Sequence, residues 1–256
     1  MQQARTTLTQ TEQLEADCAD AWGSLVESRL GQWRLRAADG FTGRANSALV
    51  IGTPDRPIRD ALDTATEFAG RHGVPPTLQV PAGAPVEPAL AEAGWRRHTE
   101  HSGPDGVLVM TGPLTALTGA AAPGETEVTD EPPADWWPVV GDEGKPGSAE
   151  WHVLTNGGKV GFAILRRTGR AAGAVRGSVV GDLLHIARLA VSPEFRRQGI
   201  AGQVLAGLAD WAADLGATRY ALQVMATNHA AIALYERLGA VEHHRYHYWI
   251  PDTPAQ

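Results

Sequence analysis

The 256 residues contain a single cysteine, Cys18. That excludes an intramolecular disulfide and any zinc site resting on thiolates. Lysine is nearly as scarce, with two (Lys145 and Lys159) against twenty arginines, and the formal net charge is −7. Neither half is basic, so the concentrated cationic face of a nucleic-acid binder is missing. No apolar run approaches the roughly 20 residues of a membrane span. The opening MQQARTTLTQTEQLEADCAD lacks the basic-then-apolar layout of a secretion signal. A hydrophobic content of 43% and a charged content of 20% lead us to expect a globular, cytoplasmic protein of one large domain or two ordinary ones. The two common phosphate-loop fingerprints, GxxxxGK followed by Ser or Thr, and GxGxxG, are both absent.

What is present centres on residues 183–202, LLHIARLAVSPEFRRQGIAG. Residues 183–191 are mostly apolar and suit a buried strand, which Ser192-Pro193 ends, because proline has no N–H to give a ladder. From Ile200 the apolar residues Val204, Leu205, Leu208, Trp211, Ala212 and Leu215 fall on one helix face. The turn Arg196-Arg197-Gln198-Gly199-Ile200-Ala201 therefore stands at a helix N-terminus, where unpaired N–H groups and the macrodipole favour an anion. Gly199 and Ala201 leave the backbone accessible, and arginine forks can grip phosphate oxygens. By its physics the turn is a pyrophosphate cradle, although an ordinary βα turn has a similar composition.

Helical spacing covers residues 10–30, 58–72 and 86–92. Strands are expected over 32–37, 46–51, 77–80, 95–98 and 107–111. Residues 112–133 are rich in Gly, Ala, Thr, Pro and acid without an apolar period, and read as a linker. The division expected is a first domain over 1–115, a linker over 116–133 and a second domain over 134–256. In the second, helices over 134–140 and 148–155 precede strands over 159–166, 172–180 and 183–191. The long helix, a strand over 219–225, a helix over 228–238 and a strand over 241–249 follow. Hairpins followed by helix crossovers predict an α/β mixed sheet, antiparallel first and then with a parallel pair.

The strand, the R-x-x-G-x-A turn and the helix resemble the acetyl-CoA motif of the GNAT N-acyltransferase superfamily, filled here by Arg196, Gly199 and Ala201. A second family pattern, N-x-x-A-x-x-x-Y-x-x-x-G, is matched by Asn228, Ala231, Tyr235 and Gly239. The element order over about residues 125–250 is similar to the GNAT fold. In the first half, a strand, a helix, Leu78-Gln79-Val80 and a short helix ending at Gly94 look like a degenerate copy without either motif. The whole resembles the two-part GNAT proteins of actinobacteria, and Gly40 to Ser47, GFTGRANS, looks like a signature of such proteins.

The resemblance implies transfer of an acetyl group from acetyl-CoA to a primary amine by direct attack in a ternary complex, with no metal. It implies that the backbone of Leu189, Ala190 and Val191 holds the pantetheine arm and the thioester. Arg196, Arg197, Gln198, Gly199, Ile200, Ala201 and Gly202 would take the pyrophosphate, and Asn228 and Ala231 would flank the arm. Tyr235 matches the usual general acid and would also contact the cofactor, although a tyrosine on an inner helix face is also ordinary core. His185 stands where many members have a glutamate base. Strand alternation would put it on the face of Ala187, Leu189 and Val191, and an ordinary buried histidine is the equal alternative. His243, His244 and His247 do not complete a metal site and read as surface or substrate-rim residues. Trp136, Trp137, Trp151 and His152 read as core beside the acceptor pocket. Met225 and Ala240 depart from the family pattern. The acceptor is a small-molecule or protein amine, nucleic acid and membrane are not partners, and monomer and homodimer both fit. A non-catalytic coenzyme A sensor and a transferase of longer acyl groups are the competing functions.

Overall fold

Residues 7–118 and 126–252 are described by the structure, a computed structural model. In the first half, α1 (Gln10–Ala21) opens on a capping box in which Glu12 N–H donates to the Thr9 hydroxyl and Thr9 N–H to the Glu12 carboxylate, satisfying two orphan donors. The helix expected to reach residue 30 stops at Ala21. Beyond it, β1 (Val26–Leu30) pairs antiparallel with β2 (Trp33–Ala37), the tight turn between them using Gly31 at φ +60°. Then come β3 (Ala48–Leu49), α2 (Ile58–Arg71), β4 (Leu78–Pro81), α3 (Glu87–Glu92), β5 (Trp95–Arg97), α4 (Thr99–Ser102) and β6 (Val107–Pro113).

The second half begins with β7 (Thr126–Thr129), which falls inside the stretch expected to be linker and forms the edge strand against β8 (Lys159–Arg167); residues 119–125 lie outside the described residues. Between them come α5 (Trp136–Val140) and α6 (Ala149–Thr155). The hairpin partner of β8 is β9 (Arg170–Val180), followed by β10 (Leu183–Val191), α7 (Ile200–Asp214), β11 (Arg219–Met225), α8 (His229–Arg237) and β12 (Val241–Pro251).

All these strands join one mixed sheet in the order β1-β2-β3-β4-β12-β6-β11-β10-β9-β8-β7, with β5 also on β12. As the sequence predicts, β8, β9 and β10 are antiparallel and β10 and β11 are parallel. What it does not predict is the exchange at the centre. The first half's β6 lies between β11 and β12, and the second half's β12 pairs with β4 and β5. Each half therefore completes the other's sheet.

Helix α7 covers one face of the second half. Its Val204, Leu205, Leu208, Ala209 and Ala212 are buried against Ala163, Val175, Leu184 and Leu222. The close approach depends on glycine in the strands beneath. A Cβ at Gly161 would lie 2.7 Å from the Trp211 ring, one at Gly173 2.6 Å from Ile200, and one at Gly177 2.7 Å from Leu208. The opposite face carries a second cluster with Trp22, Trp136, Phe162 and Ala187, and α2 covers a third around Trp33, Leu78 and Phe68.

Candidate active site

The turn before α7 is built as the R-x-x-G-x-A spacing requires. Gly199 occupies the N-cap at φ +76°, a left-handed conformation that favours glycine. A Cβ there would meet only the Gln203 side chain at 3.7 Å, so the space over the turn is open. Arg196, Arg197, Gln198 and Gly199 are exposed, and the helix has no acid in its first turn. Arg197 is itself at φ +61°, a conformation uncommon for a non-glycine residue. The side chain of Ile200 is buried against the core, so that residue offers only its backbone, while Ala201 and Gly202 are half-buried in the first turn.

Strands β10 and β11 pair only from Leu183–Arg219 to Ile186–Leu222 and diverge beyond that point. On its other edge β10 stays with β9, apart from a bulge between Ala187 and Ala190, with Arg188 at φ +59°. Among the described residues, the edge of β10 facing β11 has no strand partner from Ala187 to Val191; the Val191 carbonyl accepts from Arg196 Nε at 3.3 Å, and backbone groups along the rest of that edge are open to a ligand. The bulge also corrects the facing expected of His185. Because an extra residue reverses the alternation, Leu189 and Val191 pack at the rim of the α7-side cluster. His185 points to the other face, where its ring lies 6.2 Å from that of Trp22. Arg188 itself makes an ion pair with Asp142 and lies over the Phe41 ring.

Tyr235, on the inner side of α8, is 9% exposed and belongs to the same cluster as Leu222 and Val224, with Leu189, Val191 and Ala231 at its edge. Burial, with Tyr220 adding to it, pushes its phenol up to about 12. Asn228 has a job that the motif alone does not reveal: it caps α8, its Oδ1 accepting from Ala231 N–H at 3.2 Å.

His185 is fully buried. Burial, then the charges of Arg44 and Arg176, hold its pKa well below 6.5, against a smaller opposing hydrogen bond with Gln223. Arg44 Nη1 lies 3.5 Å from His185 Nε2. The ring's Nδ1 has no partner among the described residues. A neutral, enclosed imidazole of this kind is a poor proton acceptor for an incoming amine.

Arg44 connects the halves here. Its Nη1 donates to Gln223 Oε1 of β11, and its guanidinium lies 4.4 Å from the Trp22 ring centroid. With His101 of the first half and Gln223, Tyr246 and Tyr248 of the second, it lines a cavity of about 160 Å³. A larger one of about 820 Å³ shares His101 and Tyr248 with it and extends over the first half. Arg44, Gln223 and His101 were not legible as site residues. The only signal was the GFTGRANS stretch, and nothing in it shows that Arg44 reaches a strand more than 100 residues away.

The histidines near the C-terminus also differ from expectation. A bulge between Glu242 and His244 turns His244 inward, where its Nε2 lies 2.8 Å from the buried Glu15. No group of three or more His, Cys, Asp or Glu that could hold a metal occurs among the described residues. Trp136 and Trp137 are core, their rings edge to face at 5.3 Å. Among the described residues no helix is long and apolar enough to cross a membrane.

The chain is similar to known proteins along nearly its whole length. The family described as "Probable histone acetyltransferase Rv0428c C-terminal" matches residues 9–249. The uncharacterized N-acetyltransferase YobR of Bacillus subtilis is 26% identical over 249 residues, which covers 93% of this chain and 97% of that protein. Among solved structures, a GCN5-related N-acetyltransferase from Kribbella flavida superposes with a TM-score of 0.68 at 14% identity, covering 96% of this chain and 97% of the other. A tandem GNAT protein from the clavulanic acid biosynthesis pathway gives 0.59 at 16%, covering 94% and 88%. At these identities the two structures speak for the fold, in the second case a tandem fold of two halves.

Proposed function

Since the chain belongs to this acetyltransferase family, as an N-acetyltransferase of the GNAT type, we propose that it moves an acetyl group from acetyl-CoA to a primary amine by direct attack in a ternary complex. The observation that carries this reading is the divergence of β10 from β11 beside an open glycine turn at the start of α7. When bound, acetyl-CoA supplies the activated acyl group. The chain's own role is to hold and orient it. The N–H groups from Arg197 to Gly202 and the Arg196 and Arg197 side chains take the pyrophosphate. The unpaired edge of β10 at Leu189, Ala190 and Val191 pairs with the pantetheine arm, and an N–H there meets the carbonyl oxygen as negative charge develops. Ala231, half-buried on α8, and Asn228, which caps that helix, border the arm.

Tyr235 lies on the cofactor side of the diverging strands and donates its proton to the leaving sulfur. Its raised pKa keeps it protonated throughout the neutral range. His185, held neutral and enclosed beside Arg44, is better placed as a packing partner of that arginine than as the base. The amine enters from the opposite face, through the cavity that the two halves wall together. A cytoplasmic setting, where acetyl-CoA and a lone buried thiol coexist, fits the same reading.

Thiol release from acetyl-CoA in the presence of a panel of amines tests the proposal. Tyr235→Phe is expected to lower turnover by about 10²-fold or more while leaving acetyl-CoA affinity and thermal stability unchanged. Unchanged turnover would refute the acid assignment, and an enzyme that releases no thiol with any amine would refute the transferase reading.

A further inference from the structure

Arg44 is a cation without an anion. Among the described residues it makes no ion pair. Among the same residues its hydrogen-bonding contacts are all from Nη1, to the neutral Gln223 and His185. The neighbouring cations are better provided for. Arg34 pairs with Glu27 and Asp20, and Arg188 with Asp142, while Arg176 donates to the carbonyls of Ala21, Leu154 and Asn156. Glu15, the carboxylate on the inner cavity wall beside Arg44, is already bonded to Gln79 at 2.6 Å and His244 at 2.8 Å. No acidic side chain lines the outer cavity that Arg44 shares with His101 and Tyr248.

The loop carrying Arg44 is built to hold it there. Asn46, buried at 8% exposure, accepts from the N–H groups of Ala38 and Gly40 and donates to the carbonyls of Phe41 and Thr42. The Thr42 hydroxyl in turn accepts from Trp22 Nε1 at 3.1 Å, and the Trp22 ring supports the guanidinium from below. Four hydrogen bonds and a ring fix one arginine, while its Nε and Nη2 make no bond to the protein among the described residues. Those two nitrogens form the edge of the guanidinium that matches the two oxygens of a carboxylate. No second arginine or lysine lines the outer cavity, which suits a monoanion better than a phosphate.

We propose that the acceptor amine carries a carboxylate, and that Arg44 binds it and so selects the substrate. The inference rests on the transferase reading above and adds the acceptor class. It makes an α-amino acid, or the N-terminus of a peptide with an acidic side chain next to it, a better acceptor than a polyamine or a lysine-rich tail, whose charges would face the arginine.

The test pairs acceptors that differ only in this group: L-amino acids against their α-carboxamides, and short peptides beginning Ala-Glu against Ala-Gln. For wild type, Arg44→Gln and Arg44→Lys, kcat/KM is measured by thiol release. Binding of the N-acetylated product of each acceptor to the coenzyme A-loaded protein is measured by calorimetry, and acetyl-CoA affinity separately. In the wild type the carboxylate member of at least one pair is expected to lead by about 10-fold or more in both readouts, and which pair leads separates the free amino acid from the acidic N-terminus. Arg44→Gln should bring that ratio to about 1 and Arg44→Lys should restore it only in part, with acetyl-CoA affinity unchanged in both. Equal or better use and binding of the uncharged members by the wild type would overturn the inference and leave the transferase reading standing, as would a ratio that survives Arg44→Gln. Failure of the wild type to bind acetyl-CoA would instead remove the transferase reading, and this inference with it.

Discussion

Before α2 the chain reads Thr53-Pro54-Asp55-Arg56-Pro57, and before α7 it reads Arg196-Arg197-Gln198-Gly199. Both turns lead from a strand into a helix that crosses to a parallel strand, β3 to β4 in one half and β10 to β11 in the other. The first has two prolines, which remove N–H donors. It also has Asp55, paired with Arg56 at 2.8 Å, and Asp60 in the first helical turn, so negative charge stands where an anion would have to approach. The second has a glycine at the N-cap and no acid in its first turn. One βαβ unit thus has the features of an anion site and the other lacks them. The half that lacks them contributes a central strand, β6, and a wall of the smaller cavity, including Arg44.

The strongest way to break this division of labour is to cut the chain. Residues 126–256 alone would lack β6 and leave β11 and β12 without the strand between them, so they are expected to show no cooperative urea unfolding. A sharp, reversible transition would mean that the exchanged strand is dispensable.

A milder comparison sets the two helices against their floors. Adding side-chain volume at Gly177→Val forces contact with Leu208 and should cost about 1–3 kcal/mol. In α2, an added methyl at Gly70 meets nothing within 4 Å, so Gly70→Ala should stabilise by about 0.5–1 kcal/mol. Urea midpoints with unchanged slopes read both, and changes of the same sign would contradict the difference in packing.

Loss of the α8 cap in Asn228→Ala should cost about 1 kcal/mol. A cost of zero would return Asn228 to a purely ligand-facing role.

The smallest effect concerns pH. The His185 imidazole titrates in the folded chain well below 6.5, so as pH falls the unfolded chain takes up the proton first. Its contribution is complete above about pH 6.5 and lost below it. The stability of His185→Gln should therefore fall less than that of wild type between pH 7 and 5. Parallel declines would show that the ring is not held neutral.

Much of the second half was legible because its signals are local. The strands over 183–191 and 219–225 and the start of α7 fall where apolar runs, Pro193 and Gly199 place them. The facing of His185 was not legible, since the bulge that reverses it turns on Arg188, a residue with no local reason to adopt a positive φ. The inward turn of His244 has a similar cause. Strand β1 was hidden because Leu25 and Val26 continue the helical spacing of α1. The insertion of β6 and the reach of Arg44 are pairings between distant segments, and no period in either segment encodes its partner.

The most direct test of the difference between the halves is calorimetric titration with acetyl-CoA of wild type, Gly199→Glu and Arg56→Glu. A glutamate at position 199 puts an L side chain into a left-handed N-cap and a carboxylate at the mouth of the helix. One at 56 adds a carboxylate at the corresponding turn of the first half. Micromolar binding by the wild type, lost in Gly199→Glu and kept in Arg56→Glu, is the expected result. Binding that survives Gly199→Glu, or that is lost in Arg56→Glu, would contradict the assignment of the cofactor to the second half.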